Sequence, residues 1–234
     1  MAAAHARRAL STLGTLYTAP GTPSPDTVHM FLHEAHAVDI VSTEKVNIGK
    51  AANRSGDFAK LNPMGEVPTL VLSDGTAFSE SLVICRLIDD IRTNGMGSTL
   101  HGETVAQRAE TDMWCARAET KYLTPLFWAV RCGPLAKFFA DRTPGYIHTE
   151  MAEPMSIAAK AGQSWLNEQL ATREYLCGER FTIADIRLYV NYRFLTGVAK
   201  SLVASDAEAP AFTAYIAKIA ERESAKAILP PKKK

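Results

Sequence analysis

A chain of 234 residues with 47% hydrophobic and 22% charged residues has a globular composition and is long enough for one large core or two smaller ones. Its formal net charge of +1 gives no electrostatic handle for nucleic acid or a membrane surface. No apolar run approaches the roughly 20 residues that a membrane span needs. The four cysteines, Cys85, Cys115, Cys132 and Cys177, are too scattered for a zinc site or a disulfide framework, so buried free thiols are expected and no metal.

Met1 to Gly14 carries His5, Arg7, Arg8, Ser11 and Thr12 among alanines and leucines, with no acidic residue before Asp26. That composition suits a mitochondrial or plastid transit peptide, and equally a plain N-terminal extension, residues 1–12, on a cytoplasmic protein. Leu13 to Thr18 reads as a first strand. The stretch Ala19-Pro20-Gly21-Thr22-Pro23-Ser24-Pro25 is a loop, since proline and glycine punctuate it. Val28, Phe31, Leu32 and Ala35 then recur at i, i+3, i+4 and i+7, one face of a helix, with Asp26 and Thr27 at its start. His29, His33 and His36 on or just after this helix are expected on the surface or in packing roles.

Ile40 to Ile48 is a second strand by pattern, followed by an irregular polar stretch from Gly49 to Asp57. Thr69 to Leu72 and Thr76 to Phe78 form a hairpin about Ser73-Asp74-Gly75. Ile84, Leu87, Ile88 and Ile91 mark the buried face of the next helix. Strand, helix, strand, hairpin, helix is a thioredoxin-like order, a mixed sheet with helices packed on it, and it closes near residue 91.

Residues 92–102 are a linker by composition, and 103–228 read as all-helical, with a basic tail at 229–234. In the helical half, Cys132 to Gly145 is an irregular joint with Pro134 and Pro144. Phe181-Thr182-Ile183-Ala184-Asp185-Ile186 has Thr182 as N-cap and Asp185 at N3, a capping-box pattern, with Phe181 and Ile186 as its staple. The helix that follows is apolar nearly all round and belongs in the middle of a bundle.

The stretch from Asn62 to Ser81 carries the functional signal. Val67-Pro68 directly precedes an apolar strand, and proline cannot donate to a sheet ladder. A cis bond there would turn the backbone of Val67 outward, leaving it free to pair with an extended peptide. A dozen residues on, Glu80-Ser81 opens a helix whose first N–H groups attract a carboxylate. Together these describe a site for a small acidic peptide.

Asn-Pro-x-Gly-x-Val-Pro-x-Leu, then Glu-Ser and an apolar helix, resembles the thioredoxin-like domain of the glutathione transferases, and Thr-x-x-Asp at 182–185 resembles the box that starts the central helix of their second domain. The resemblance runs from about Leu13 to Glu223. It implies that Val67 and Pro68 hold the cysteinyl backbone of glutathione and that Glu80 and Ser81 hold its γ-glutamyl carboxylate. It also implies that Lys50, Arg54 or Lys60 meets the glycyl carboxylate.

The catalytic hydroxyl of the serine-type and threonine-type loops of that family falls on Thr22, with Ser24 second and Tyr17 third. A thiol of pKa about 8.5 is mostly protonated at pH 7, so a hydroxyl donor and a helix N-terminus are the two devices expected to favour the thiolate. The absence of cysteine from the loop disfavours an enzyme-linked mixed disulfide. Asp26 and Glu66, if they faced the sulfur, would oppose thiolate formation.

By the same resemblance the second substrate is an electrophilic, mostly apolar small molecule, held between the two domains by residues that include Trp114 and Arg117. The chain is expected to form a homodimer. The alternative is a non-catalytic binding module on the same fold, a subunit of a larger protein assembly like the elongation factor gamma subunit. Glutathione-dependent peroxidase or reductase activity is the close variant of the enzyme.

Overall fold

The computed structural model describes residues 13–140, 142 and 145–229. The N-terminal extension and Pro144 lie outside the described residues, as does the basic tail beyond Leu229. Two compact units are present. One holds the described residues up to Met96 together with those from Glu223 onward; the other spans Gly97–Arg222.

The first unit is built on a four-stranded sheet, β1 (Gly14–Thr18), β2 (Ser42–Lys45), β3 (Thr69–Leu72) and β4 (Ala77–Ser79), in the order β2-β1-β3-β4. β2 runs parallel to β1, while β3 is antiparallel to both β1 and β4. Leu16 and Leu70 pair across the centre of the sheet and are fully buried. Helix α1 (Pro23–Glu34) buries Val28, Met30, Phe31 and Leu32, and it packs against α3 (Ser81–Thr93), which buries Ile84, Cys85 and Ile88. Each fully buried side chain of this size is worth about 1.5–3 kcal/mol.

Two local differences from the sequence pattern have physical reasons. The second strand is only four residues long and exposed along its length, because Ile40 ends a single 3₁₀ turn before it and Ile48 begins another after it. The polar stretch after it contains a short helix, α2 (Gly56–Leu61), that buries no residue, so no apolar periodicity announced it.

The second unit is helical: α4 (Val105–Ala118), a π-helical turn (Glu119–Leu123), α5 (Thr124–Cys132), α6 (Ala136–Ala140), α7 (Ala152–Leu170), α8 (Ile183–Ala199) and α9 (Pro210–Ala220). The joint expected after Cys132 therefore contains a short helix. Gly162 lets α7 lie on the π-turn, since a Cβ there would stand 2.0 Å from the Lys121 carbonyl oxygen. Helix α8 is central, with Ile183, Ile186, Leu188, Val190 and Leu195 all at 1% exposure or less, against α4, α5 and α9.

The last helix, α10 (Glu223–Ala227), was expected in the helical half and instead belongs to the sheet unit. It lies on α1, buries Ser224 and Ala225, and is tied down by a hydrogen bond from the Ser224 hydroxyl to the Glu34 carboxylate.

Candidate functional site

Strand register gathers the candidate residues at one end of the sheet. Tyr17 pairs with Thr69, Thr18 with Lys45, and Thr69 with Ser79, so the ends of β1, β2 and β4 lie at the same end of the sheet as the start of β3. The β3–β4 pairing ends at Thr69 and Ser79, so Val67 and Ser81 each lie two residues beyond it at the same end of the sheet. The loop from Ala19 to Thr22, which leads into α1, follows β1 at the same end. Strands lie about 4.8 Å apart, so β4 and β1 are separated by about 10 Å, the length of an extended tripeptide.

The Val67–Pro68 peptide bond is cis. Val67 is half-buried and makes no backbone hydrogen bond among the described residues. The loop in front of it is braced from inside by Asn62, which is 4% exposed. Its Nδ2 donates to the Glu66 carbonyl oxygen at 2.8 Å and to Thr69 Oγ1 at 3.0 Å, while its Oδ1 accepts from the Met64 N–H at 3.1 Å. Thr69 Oγ1 donates to the same Glu66 carbonyl, and the buried Asn53 amide donates to the Gly65 carbonyl. Gly65 takes φ +63°, where a side chain would be strained. Asn53 and Asn62 went unnoticed as supports in the sequence; the available signal was the Asn-Pro-x-Gly turn, where an asparagine amide commonly bonds nearby backbone. Glu66 itself is exposed.

At the start of α1, Thr22 is the N-cap residue in an extended conformation, and no side chain caps the helix. Its Oγ1 donates to the Ala19 carbonyl oxygen at 2.6 Å. A hydroxyl whose proton sits on that carbonyl can accept from a thiol but has nothing to donate to a thiolate. Ser24 is half-buried and makes no side-chain hydrogen bond among the described residues, so its proton is available. Pro23 and Pro25 carry no N–H, which leaves Ser24 as the one backbone donor among the first three helical residues. Asp26 is 2% exposed, and its Oδ1 accepts from the Gly21 N–H at 2.9 Å, so one of its oxygens holds the loop. Tyr17 is a packing residue of β1, edge-to-face on Phe58 at 5.8 Å.

At the start of α3, Glu80 is exposed with φ +68°, and Ser81 is 5% exposed as the first helical residue. Glu80, the N-cap residue, makes no side-chain cap, and the N–H groups of Leu82 and Val83 lie in the first turn, where a helix has no internal acceptor for them. Lys60 is highly exposed and ion-paired to Asp57 at 2.8 Å, while Lys50 and Arg54 are exposed as well.

The structure corrects the expectation for Trp114. It is 1% exposed, stacked on Trp165 at 5.8 Å, with the guanidinium groups of Arg117 and Arg173 over its ring at 5.3 and 4.9 Å. Trp114 is therefore core of the helical unit, and Arg117, exposed, lies against it. All four cysteines are buried. Burial, with Asp112 adding to it, pushes the Cys115 thiol up to about 12, and burial also raises Cys177. Among the described residues no group of three His, Cys, Asp or Glu side chains could hold a metal ion, and no helix is long and apolar enough to cross a membrane.

Residues 23–91 match the family model for the glutathione S-transferase N-terminal domain, and residues 158–218 match that for the C-terminal domain. The chain belongs to the glutathione S-transferase superfamily. It is 27% identical over 221 residues to glutathione S-transferase 2 of Saccharomyces cerevisiae, covering 92% of this chain and 88% of that one. The solved structure of yeast Gtt2 superimposes with a TM-score of 0.78 at 26% identity, over 92% of this chain and 100% of that one. A glutathione S-transferase domain-containing protein from Marinobacter aquaeolei gives 0.77 at 28% identity, over 90% and 99%. A probable elongation factor 1-gamma 2 of Arabidopsis thaliana is 33% identical over 135 residues, 57% of this chain but only 30% of that protein. The match at residues 23–91 contains Ser24, Val67, Pro68, Glu80 and Ser81; Thr22 falls one residue before it.

Proposed function

We propose that this member of the superfamily is a glutathione transferase that joins the sulfur of glutathione to an electrophilic, mostly apolar small molecule, acting as a homodimer in the cytoplasm. The observation that carries the proposal is the convergence, at one end of the sheet, of the unpaired Val67 backbone, the uncapped start of α3 and the hydroxyl-bearing start of α1. The γ-glutamyl carboxylate would sit at Ser81 and the N–H groups of Leu82 and Val83, with Glu80 beside its amino group. The cysteinyl backbone would pair with Val67 as a short added strand. The sulfur would then reach the start of α1, where the Ser24 hydroxyl and N–H are the groups able to donate to a thiolate, and where Thr22 can receive the thiol proton's side of the hydrogen bond. Lys60 would have to leave Asp57 to meet the glycyl carboxylate.

A second reading, a non-catalytic binding module in a protein assembly, is favoured by the Thr22 proton sitting on Ala19 and by two prolines that strip donors from the start of α1. The elongation factor 1-gamma relatives point the same way. Calorimetric titration with reduced glutathione, run beside Ser81→Ala, separates the two. Saturable binding weakened by the substitution supports the transferase, and turnover with a chloronitrobenzene electrophile then follows. No binding at millimolar glutathione removes the enzyme and leaves the assembly module.

A further inference from the structure

A peptide laid along Val67 has a direction, and that direction brings one more residue of this chain to its far end. Pro68 and Thr69 lead from Val67 to the β3–β4 pairing, where Thr69 meets Ser79, two residues before Ser81. A γ-glutamyl carboxylate at Ser81 therefore sets the N-terminal end of the peptide on that side of Val67. Its C-terminal residue then comes beside Glu66, on the other side. The backbone there is held, because the Glu66 carbonyl oxygen accepts from Asn62 Nδ2 at 2.8 Å and from Thr69 Oγ1 at 3.0 Å. The side chain is not: Glu66 is exposed and makes no side-chain hydrogen bond or ion pair among the described residues. The same holds for Glu80 at the opposite end. Val67 is thus flanked, before and after, by two exposed and unengaged carboxylates.

We propose that the preferred peptide substrate carries a positive charge at both ends, the α-amino group of its γ-glutamyl residue and an amine joined through an amide to its glycyl carboxyl. Its class is glutathione with the glycyl carboxylate masked by a diamine or polyamine. This preference rests on the peptide site proposed above. Glu80 meets the first cation and Glu66 the second. A free glycyl carboxylate would instead lie beside that of Glu66, and like charges directly opposed across a strand pair are unfavourable. Of the cations in the preceding loop, Lys60 is paired with Asp57 at 2.8 Å. Arg54, whose Cγ would stand 3.1 Å from a Cβ at Gly65, is already engaged within the chain. A cationic end asks neither of them to move. Because Glu66 is exposed, water weakens the effect to about fourfold for each unit of charge, that of two unit charges about 5 Å apart in water.

Calorimetry on the full chain measures this with three probes of one backbone: glutathione, its glycyl ethyl ester and its glycyl amide with ethylenediamine. They end in a negative, a neutral and a positive group. Kd is expected to fall about fourfold at each step, about sixteenfold across the series. The steps should shrink when salt is raised from about 0.05 M to about 0.5 M. Glu66→Gln, at an exposed position that keeps the backbone anchor, should flatten the series to within about twofold by tightening glutathione and weakening the amide. A Kd that stays level or rises from glutathione to the amide would overturn the preference and leave the peptide site standing. A series that Glu66→Gln does not change would do the same. If none of the three binds at millimolar concentration, the peptide site itself fails and the preference falls with it.

Discussion

Two helix starts in the helical unit and two in the sheet unit are treated in opposite ways. In the helical unit, α8 is sealed: Asp185 is fully buried, and its carboxylate accepts from the Thr182 N–H at 2.8 Å, Thr182 Oγ1 at 3.0 Å, the Leu176 N–H at 2.9 Å and the Tyr215 hydroxyl at 2.8 Å. Helix α4 is closed as well, by a reciprocal pair in which Gln107 N–H donates to Thr104 Oγ1 and Thr104 N–H donates to Gln107 Oε1, both at 3.2 Å. In the sheet unit, the N-cap residues of α1 and α3, Thr22 and Glu80, make no side-chain cap. A cap is worth about 0.5–2 kcal/mol, so leaving two helix starts open is a stability cost that a ligand can offset. On the proposed function, the open starts of α1 and α3 serve recognition, while the sealed starts of α4 and α8 serve folding.

The largest effect expected from breaking this contrast is at Asp185. Asp185→Ala removes four hydrogen bonds and strands the Leu176 and Thr182 N–H groups and the Tyr215 hydroxyl in the core. At about 1–3 kcal/mol for each unsatisfied group, and with incomplete additivity, the loss is about 3–5 kcal/mol in urea denaturation. Ser81→Ala, at an open start, should cost under 1 kcal/mol in the same assay. Equal losses at the two positions would erase the distinction between sealed and open starts.

The second prediction sharpens the contrast within α1. Ser24→Ala should lower kcat/KM for conjugation about 100-fold, the cost of one donor to a developing anion, while Thr22→Ala costs about tenfold or less because its proton already sits on Ala19. Steady-state kinetics with one electrophile at saturating glutathione measures both. A larger loss at Thr22 would mean that its hydroxyl turns from Ala19 to the sulfur when glutathione binds.

Much of this was legible in the sequence, for reasons that differ by region. The Thr182–Asp185 cap could be read because a cap is local: four residues in a fixed pattern make it. The same rule, applied to Thr104-Val-Ala-Gln107, would have found the second cap. Val67, Pro68, Glu80 and Ser81 were readable as a set because proline before a strand and Glu-Ser before a helix are local too. What the sequence could not disclose is which proton each hydroxyl in the α1 loop gives to whom, since Thr22 and Ser24 differ only in their three-dimensional partners. The place of α10 was hidden because nothing in Glu223–Ala227 names α1, some 190 residues earlier, as its neighbour. Trp114 was misplaced because an aromatic residue beside arginines reads the same in a pocket wall and in a core.

A third test probes the open start of α3 as a binding element. Ser81→Ala should weaken glutathione about tenfold, the loss of one hydrogen bond to a charged group, with KM rising and kcat nearly unchanged. An unchanged dissociation constant would mean that the carboxylate binds elsewhere and that the missing cap at α3 has no bearing on the ligand.

The smallest expected effect concerns how the sheet unit responds to acid. His29 is held below its ordinary 6.5 by burial first and by His33 second, so the folded protein binds its proton less readily than the unfolded chain does. Between those two values the unfolded state carries more protons, and stability therefore rises with pH. The contribution is complete above about 6.5 and is lost progressively as the pH falls from there through the lowered folded value. His29→Gln keeps a side chain able to meet Thr18 Oγ1 but cannot take up a proton. Melting curves at pH 7.5 and 5.5 should show the parent chain losing more stability on acidification than the variant, while the two behave alike at the upper pH apart from a constant offset. If the variant loses as much as the parent, the acid sensitivity lies in other groups, and α1 is no more sensitive to protons than the capped helices of the other unit.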